Sequence, residues 1–308
     1  MNRIQKHYYS LNDYLQEEYG EKIYKLALSG SMTCPNRDGT IGTGGCIFCS
    51  QGGSGEFAES PDLSITGQIE AAKKKIRNKM TGSRYIAYFQ NFTNTYAPVP
   101  YLEKIYREAV EHEDIVILSI STRPDCLGEE VMELLGKINQ IKPVWVELGL
   151  QSIHAKTSQY IRRGYELPCF DEAVRKLKGL GIKVIVHVIL GLPGEDSQDM
   201  LETIDYVGRA GVDGIKLQLL HVIRDTDLAG EYKLGKFEVL KLEEYMDILL
   251  QCIEHLPAGV VVHRITGDGP RNLVVAPMWS LDKKKVLNSI NKQLREKDVR
   301  QGIQSISC

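Results

Sequence analysis

Val144-Trp145-Val146-Glu147-Leu148-Gly149-Leu150-Gln151 is an apolar run that carries a carboxylate and an amide four residues apart. Side chains alternate across a strand, so Glu147 and Gln151 share one face of it. The same arrangement recurs along the chain. Ser119, Ser121 and Arg123 share one parity in the run before it. His187 lies late in the next, Lys216, Gln218 and His221 end another, and His263 and Arg264 end the last. Barrel enzymes place their chemistry at the C-terminal ends of parallel strands. Polar residues at five strand ends therefore predict a polar cavity above an apolar barrel floor.

Working outward, short apolar runs alternate with helical stretches, the pattern of βα units and a parallel sheet. Strands are expected at 23–28, 85–89, 115–121, 144–150, 183–189, 214–219 and 260–265. Helices are expected at 65–80, 99–112, 129–138, 155–162, 170–179, 197–209, 238–255 and 282–295. About six such units predict an α/β fold, an open, partial TIM-type barrel with short extensions at both ends. The expected division is an N-terminal extension at 1–22, the barrel at 23–230, and a C-terminal extension with a basic helix at 231–308.

The bulk numbers agree with one large α/β domain: 308 residues, 43% hydrophobic and 25% charged. No apolar run approaches 18 residues, and Met1-Asn2-Arg3-Ile4-Gln5-Lys6 has no apolar core. A cytoplasmic protein with no membrane partner is expected. The net charge of −2 does not announce a nucleic-acid binder. Two basic stretches stand out, Lys73 to Arg84 and Lys283 to Arg300, and each is also explained by a solvated helix face.

Of seven cysteines, three fall in the run Cys34-Pro-Asn-Arg-Asp-Gly-Thr-Ile-Gly-Thr-Gly-Gly-Cys46-Ile-Phe-Cys49. In a cytosolic chain such a cluster favours metal binding over disulfides. Structural zinc wants a fourth Cys or His nearby, and none lies between residues 8 and 111 beyond these thiols. Three thiolates instead leave one iron of a [4Fe–4S] cluster without a protein ligand, and an open position is where chemistry takes place. Cys126, Cys169, Cys252 and Cys308 are dispersed and read as structural.

This loop, with Cys-x2-Cys and an aromatic before the last cysteine, resembles the radical S-adenosylmethionine (SAM) superfamily. The eleven-residue gap after Cys34 looks like the Elongator catalytic-subunit group. Further motifs support that branch: Ser121-Thr122-Arg123-Pro124-Asp125, Glu147 to Ser152, Arg162-Arg163-Gly164-Tyr165, Gly191-Leu192-Pro193-Gly194-Glu195 and Leu219 to Leu228. With Gly267-Asp268-Gly269-Pro270 and Pro277-Met278-Trp279, the pattern is most similar to the compact bacterial YtqA/YhcC-type branch.

The resemblance implies one [4Fe–4S] cluster on Cys34, Cys46 and Cys49, with SAM chelating the fourth iron. Phe48 should cover the cluster and the adenine side. The family's Gly-Gly-Glu stretch is missing here, so Gln90, Thr93 or backbone carbonyls should meet the methionine amine. Ser121 occupies the place of a ribose-binding acid, and Gln151 matches the ribose-contacting position. Arg163 matches the arginine that pairs with the methionine carboxylate, with Arg162 as its rival. Glu147 either joins the ribose site or forms an ion pair with Arg123. Gly191 lets backbone approach adenine, or simply makes a strand–helix turn. His187, Lys216, Gln218, His221, Arg224, His263 and Arg264 are candidates for the substrate end, with a structural role as the alternative for each histidine.

The implied chemistry is reductive cleavage of SAM to a 5′-deoxyadenosyl radical that abstracts hydrogen from substrate, with an electron donor such as flavodoxin or ferredoxin. The expected substrate is tRNA wobble uridine. Because nothing after residue 230 resembles an acetyltransferase domain, trimming or rearrangement of a C5 side chain such as carboxymethylaminomethyl is expected rather than acetyl transfer. Arg3, Lys6, His7, Tyr8 and Tyr9 offer phosphate and stacking contacts for the tRNA. The alternatives are radical chemistry on a small molecule and a non-catalytic cluster protein that binds RNA or a partner.

Overall fold

The computed structural model describes residues 7–53, 55–79, 81–267 and 269–305. Its strands are β1 (Tyr24–Leu28), β2 (Tyr85–Phe89), β3 (Ile115–Thr122), β4 (Val144–Gln151), β5 (Lys183–Leu190), β6 (Gly214–Leu219), β7 (Val222–Ile223), β8 (Val261–Arg264) and β9 (Val274–Ala276). Its helices are α1 (Leu11–Tyr19), α2 (Ile65–Ile76), α3 (Val99–Glu111), α4 (Glu129–Asn139), α5 (Ala155–Tyr160), α6 (Leu167–Gly179), α7 (Ser197–Arg209), α8 (Asp227–Lys233), α9 (Leu242–His255) and α10 (Lys283–Glu296).

Seven strands run parallel in the order β1-β2-β3-β4-β5-β6-β8. Near-sequential order with a helix after each strand is the order of a TIM-type barrel. Among the described residues no ladder joins β1 to β8, so the sheet is a curled, open half-barrel, as the sequence pattern predicts. The outward positions, such as Val146, Leu148 and Leu150 on β4 and Val184, Val186 and Val188 on β5, form one apolar core with the helices. Strands covered on both faces usually read as continuous apolar runs. Here the inward face departs from that rule, and the departure marks the site.

The inward face is layered. Ile86, Ile117, Trp145 and Ile185 form the floor with Leu15 of α1 and Ile23. The N-terminal segment reaches this floor along the open edge, where Ser10 makes a parallel bridge to Val262 and the Val262 N–H donates to the Tyr9 carbonyl. Ser10 then starts α1 with a reciprocal capping box to Asp13. His7 bonds the Val299 carbonyl at 2.8 Å, Tyr9 donates to Glu17, and Tyr8 packs against the core. These three half-buried side chains are engaged at the floor end of the barrel. Arg3, Lys6, Asp268 and Cys308 lie outside the described residues.

Several boundaries differ from the sequence pattern. The expected helix at 65–80 stops at Ile76 and continues as a 3₁₀ turn, Arg77–Lys79. α6 begins earlier than expected because Pro168 sits in its first turn, where a missing N–H costs nothing. The stretch at 238–255 is helical only from Leu242. α1, α8 and the antiparallel β7–β9 pair were not anticipated. Cys126, Cys169 and Cys252 are free, and Cys252 is wholly buried in the core.

Candidate active site

The cysteine loop leaves the top of β1 and is held by groups far away in sequence. The Asn36 amide donates to the Arg162 carbonyl at 2.7 Å and to Cys46 Sγ at 3.6 Å. The Ile47 N–H donates to the Ile161 carbonyl at 3.2 Å, and the Leu228 N–H donates to the Ile47 carbonyl at 3.0 Å. Arg37 donates to the Cys49 carbonyl at 3.1 Å and stands over the Phe92 ring. Ile47 also joins Ile161, Ile189, Leu192 and Leu228 in a second small core, against which Phe48 packs. The unforeseen α8 therefore braces the loop.

The motifs collected from the sequence converge here. Arg163 is buried, and its guanidinium donates to the carbonyls of Ser152 at 2.7 Å, Leu150 at 3.2 Å and Tyr165 at 3.1 Å, stacked 4.4 Å from the Tyr165 ring. Arg162 instead points outward to Asp227 at 2.5 Å. Ser152 donates to Glu195, which ties the β4 motif to the β5–α7 turn. Arg123 pairs with Asp125 at 2.8 Å and stands over Tyr165. Gly164 is required at the junction. Its φ is +81°, and a Cβ there would lie 2.7 Å from Asn36 Oδ1.

These residues surround one cavity of about 710 Å³, a volume typical of ligand sites. Cys34, Cys46 and Cys49 line it, with Phe48, Gln90, Thr93, Ser121, Gln151 and Arg163. It is also lined by His187, Lys216, His263 and Arg264, and, at and beyond the top of β6, by Gln218 and His221. Two expected residues are elsewhere. Arg224 is exposed and does not line the cavity. Gly191 is absent from the lining because Leu240 covers it. A Cβ would lie 2.9 Å from that side chain at a φ of +88°, so packing and turn geometry explain this glycine.

Glu147 corrects a third expectation. It does not meet Arg123, which lies beyond the strand end with its own partner, Asp125. Glu147 sits lower, wholly buried, and accepts from Lys25 at 2.7 Å, Ser119 at 2.7 Å, His187 at 2.8 Å and Lys216. Lys216 also donates to Tyr88 at 3.1 Å. Burial alone would raise the Glu147 carboxyl, but Lys216 and Lys25 overcome it and hold the group well below the usual carboxylate range. Burial and the Lys216 charge push His187 down to about 4, and burial holds His263 well below the usual imidazole value. Both rings are therefore neutral near pH 7. Glu147 only accepts, so the neutral His187 must carry its proton on Nε2, which leaves Nδ1 as an acceptor. Lys25 and Tyr88 were missed from sequence. The available signal was a lysine inside an apolar strand, at the inward parity.

The chemistry of the donors fits a cluster and SAM. The three thiols face one cavity, and Arg123 lies close enough to favour negative charge on Cys46, against the burial that raises this thiol to about 12 in the absence of metal. Gln151 Oε1 is buried with no hydrogen-bond partner, as an acceptor awaiting a hydroxyl would be. A family model described as the Radical SAM superfamily matches residues 37–207, and one described as the Radical_SAM C-terminal domain matches residues 212–296. The chain belongs to the radical SAM superfamily. The uncharacterized protein YtqA of Bacillus subtilis (strain 168) is 43% identical over 301 residues, 98% of this chain and 94% of that protein. The tRNA uridine(34) acetyltransferase of Methanocaldococcus jannaschii is 30% identical over 175 residues, 54% of this chain and 31% of that protein. Among solved structures, the archaeal Methanocaldococcus infernus Elp3 with an N-terminal deletion matches 91% of this chain and 64% of that chain. Its TM-score is 0.69 at 19% identity, a likeness of fold. This radical SAM enzyme thus has the expected branch and the expected cofactors, a [4Fe–4S] cluster and SAM. Among its described residues, no helix is long and apolar enough to cross a membrane.

Proposed function

We propose that this radical SAM enzyme modifies the C5 side chain of the wobble uridine in tRNA. The observation that carries the proposal is the 30% identity, over 54% of this chain, with a protein named for uridine 34 of tRNA. What is carried over is the base acted upon; acetyl transfer is not. The cavity mouth supports an anionic polymer outside it. Arg271 and Lys283 line the cavity, and Lys284, Lys285 and Lys292 of α10 line a separate shallow groove together with Asp282.

In this proposal Cys34, Cys46 and Cys49 hold the cluster. Gln151 accepts from the SAM ribose. Arg163 offers the methionine carboxylate a remaining guanidinium N–H, its other contacts being the three carbonyls that fix its position. Phe48 shields the site, with Gln90, Thr93 and Ser121 supplying further polar contacts. When bound, the cluster and SAM supply a hydrogen-abstracting radical after one-electron reduction by a donor such as flavodoxin or ferredoxin. Lys25, Tyr88 and Lys216 line the cavity beneath, where the substrate side chain would sit. His187 Nδ1 is available there to accept a hydrogen bond.

The test is liquid chromatography and mass spectrometry of nucleosides from the tRNA of a strain lacking the gene. The expected result is accumulation of a wobble uridine with an unprocessed C5 side chain, reversed by the intact gene and not by a Cys46→Ala variant. An unchanged wobble-uridine profile under several growth conditions would remove the proposal.

A further inference from the structure

Lys216 lines the cavity from β6 with a side chain that is 5% exposed. The groups around it come from five other strands. They are Lys25 of β1, Tyr88 of β2, Ser119 of β3 through Glu147 of β4, His187 in register with it on β5, and His263 and Arg264 of β8. Glu147 is the one carboxylate among them, and Lys25 is already its ion partner at 2.7 Å. Lys25 keeps 21% of its side chain exposed, so a charge on it costs less than one on Lys216. Both amines stand over the Tyr88 ring, 4.8 and 4.5 Å from its centre. Protonating both would set two ammonium groups side by side against one carboxylate. Burial first, and then the charges of Lys25 and Arg264, push Lys216 down to about 7 against the pull of Glu147.

The hydrogen bonds point the same way. Lys216 Nζ donates to two acceptors, Glu147 Oε2 and the Tyr88 hydroxyl at 3.1 Å. A neutral amine has two N–H groups for these two acceptors and keeps one lone pair. An ammonium group would carry a third N–H with no acceptor among the described residues. A lysine withdrawn from water beside other cations is the usual form of an activated amine nucleophile. We propose that Lys216 is a nucleophilic amine at the base of the cavity, and that it adds to a carbonyl carbon carried by the substrate. In that step Nζ bonds to the carbon, the π pair of the C=O moves to oxygen, and the proton shed by nitrogen ends on that oxygen. Loss of water from the resulting carbinolamine leaves an imine. The inference goes beyond the wobble-uridine reading and needs only that the substrate enters this cavity.

The experiment uses holoenzyme reconstituted anaerobically and loaded with SAM. The probe is acetaldehyde with cyanoborohydride, which reduces an imine to a stable N-ethyl amine. Ethylation is read lysine by lysine after proteolysis, by mass spectrometry, from about pH 6 to about pH 10. At pH 7 an ordinary lysine is neutral in about one molecule in 2,500. Lys216 should therefore be ethylated at least about tenfold faster than the exposed Lys284, even if confinement slows it by about a hundredfold. Its rate should level off by about pH 8.5, where that of Lys284 still rises. Lys216→Arg keeps donors for Glu147 and Tyr88 but cannot form an imine, so in the deletion strain it should leave the wobble-uridine profile unrestored at full iron content. Lys216 ethylated no faster than Lys284, or rising in parallel with it across the range, would overturn the proposal, and so would Lys216→Arg that restores the parental profile. Where that variant does not fold, the ethylation rates decide. Fast ethylation of Lys216 with wobble uridine unchanged by gene deletion would sink the tRNA reading alone, and the reverse pair of results would sink only the nucleophile.

Discussion

Glu147 shows how far a single residue could be read from sequence. Its inward parity and its place late in β4 were legible, because strand alternation is a local rule. Its partners were not. Lys25, Lys216 and His187 come from three other strands, and only closure of the sheet brings them together. Removing one member of such a buried set leaves charge uncompensated. Lys216→Ala should therefore cost about 3 kcal/mol in urea unfolding of the apoprotein, with Lys25 preventing a larger loss, and adding Glu147→Gln should recover most of it. His187 gives a pH dependence. Its folded pKa is pushed from 6.5 to about 4, so the unfolded chain binds the proton first. Its stabilisation is fully present above pH 6.5 and is lost as pH falls towards 4, a change of roughly 3 kcal/mol. Unfolding curves across that window should steepen in the parent and flatten in His187→Gln. Identical slopes would contradict the neutral-ring assignment.

At the scale of elements, the strands and most helices followed from periodicity, and the elements that escaped are those whose role is tertiary. α1 has a weak apolar stripe, yet Leu15 is 2% exposed because it meets Ile86, Ile117, Trp145 and Ile185 from four strands. Leu15→Ala should lower stability by about 2–5 kcal/mol, read from the urea midpoint, with an unchanged m-value. A midpoint within experimental error of the parent would mean that α1 does not close the floor. α8 escaped because its purpose is to brace the cysteine loop through Leu228, a contact no local pattern announces. The loop itself depends on close approach at Gly164. Gly164→Ala forces an unfavourable φ and displaces Asn36, so it should cost about 1–3 kcal/mol and lower the iron retained after reconstitution. Full iron content in a destabilised Gly164→Ala protein would show that Asn36 does not steady the loop.

Across the whole molecule, the open barrel was readable because every βα unit repeats one hydrophobic code and the polar residues fall at one end. The thiols, Gln151 and Arg163 were assigned through motifs, and they do line one cavity. The sequence pattern misled at the expected Glu147–Arg123 pair, because strand parity does not reveal that other strands bring Lys25 and Lys216 to this carboxylate. The molecule then divides its cavity by height: thiols at the rim, acceptors for SAM below them, cations and neutral histidines above an apolar floor. The most direct test of this arrangement is 5′-deoxyadenosine formation by anaerobically reconstituted protein with SAM and dithionite, alongside iron content. The account predicts about four irons per chain and deoxyadenosine in the parent, and loss of both in Cys34→Ala, Cys46→Ala and Cys49→Ala. A parent that binds the cluster and never cleaves SAM, or a cysteine variant that still does, would contradict it.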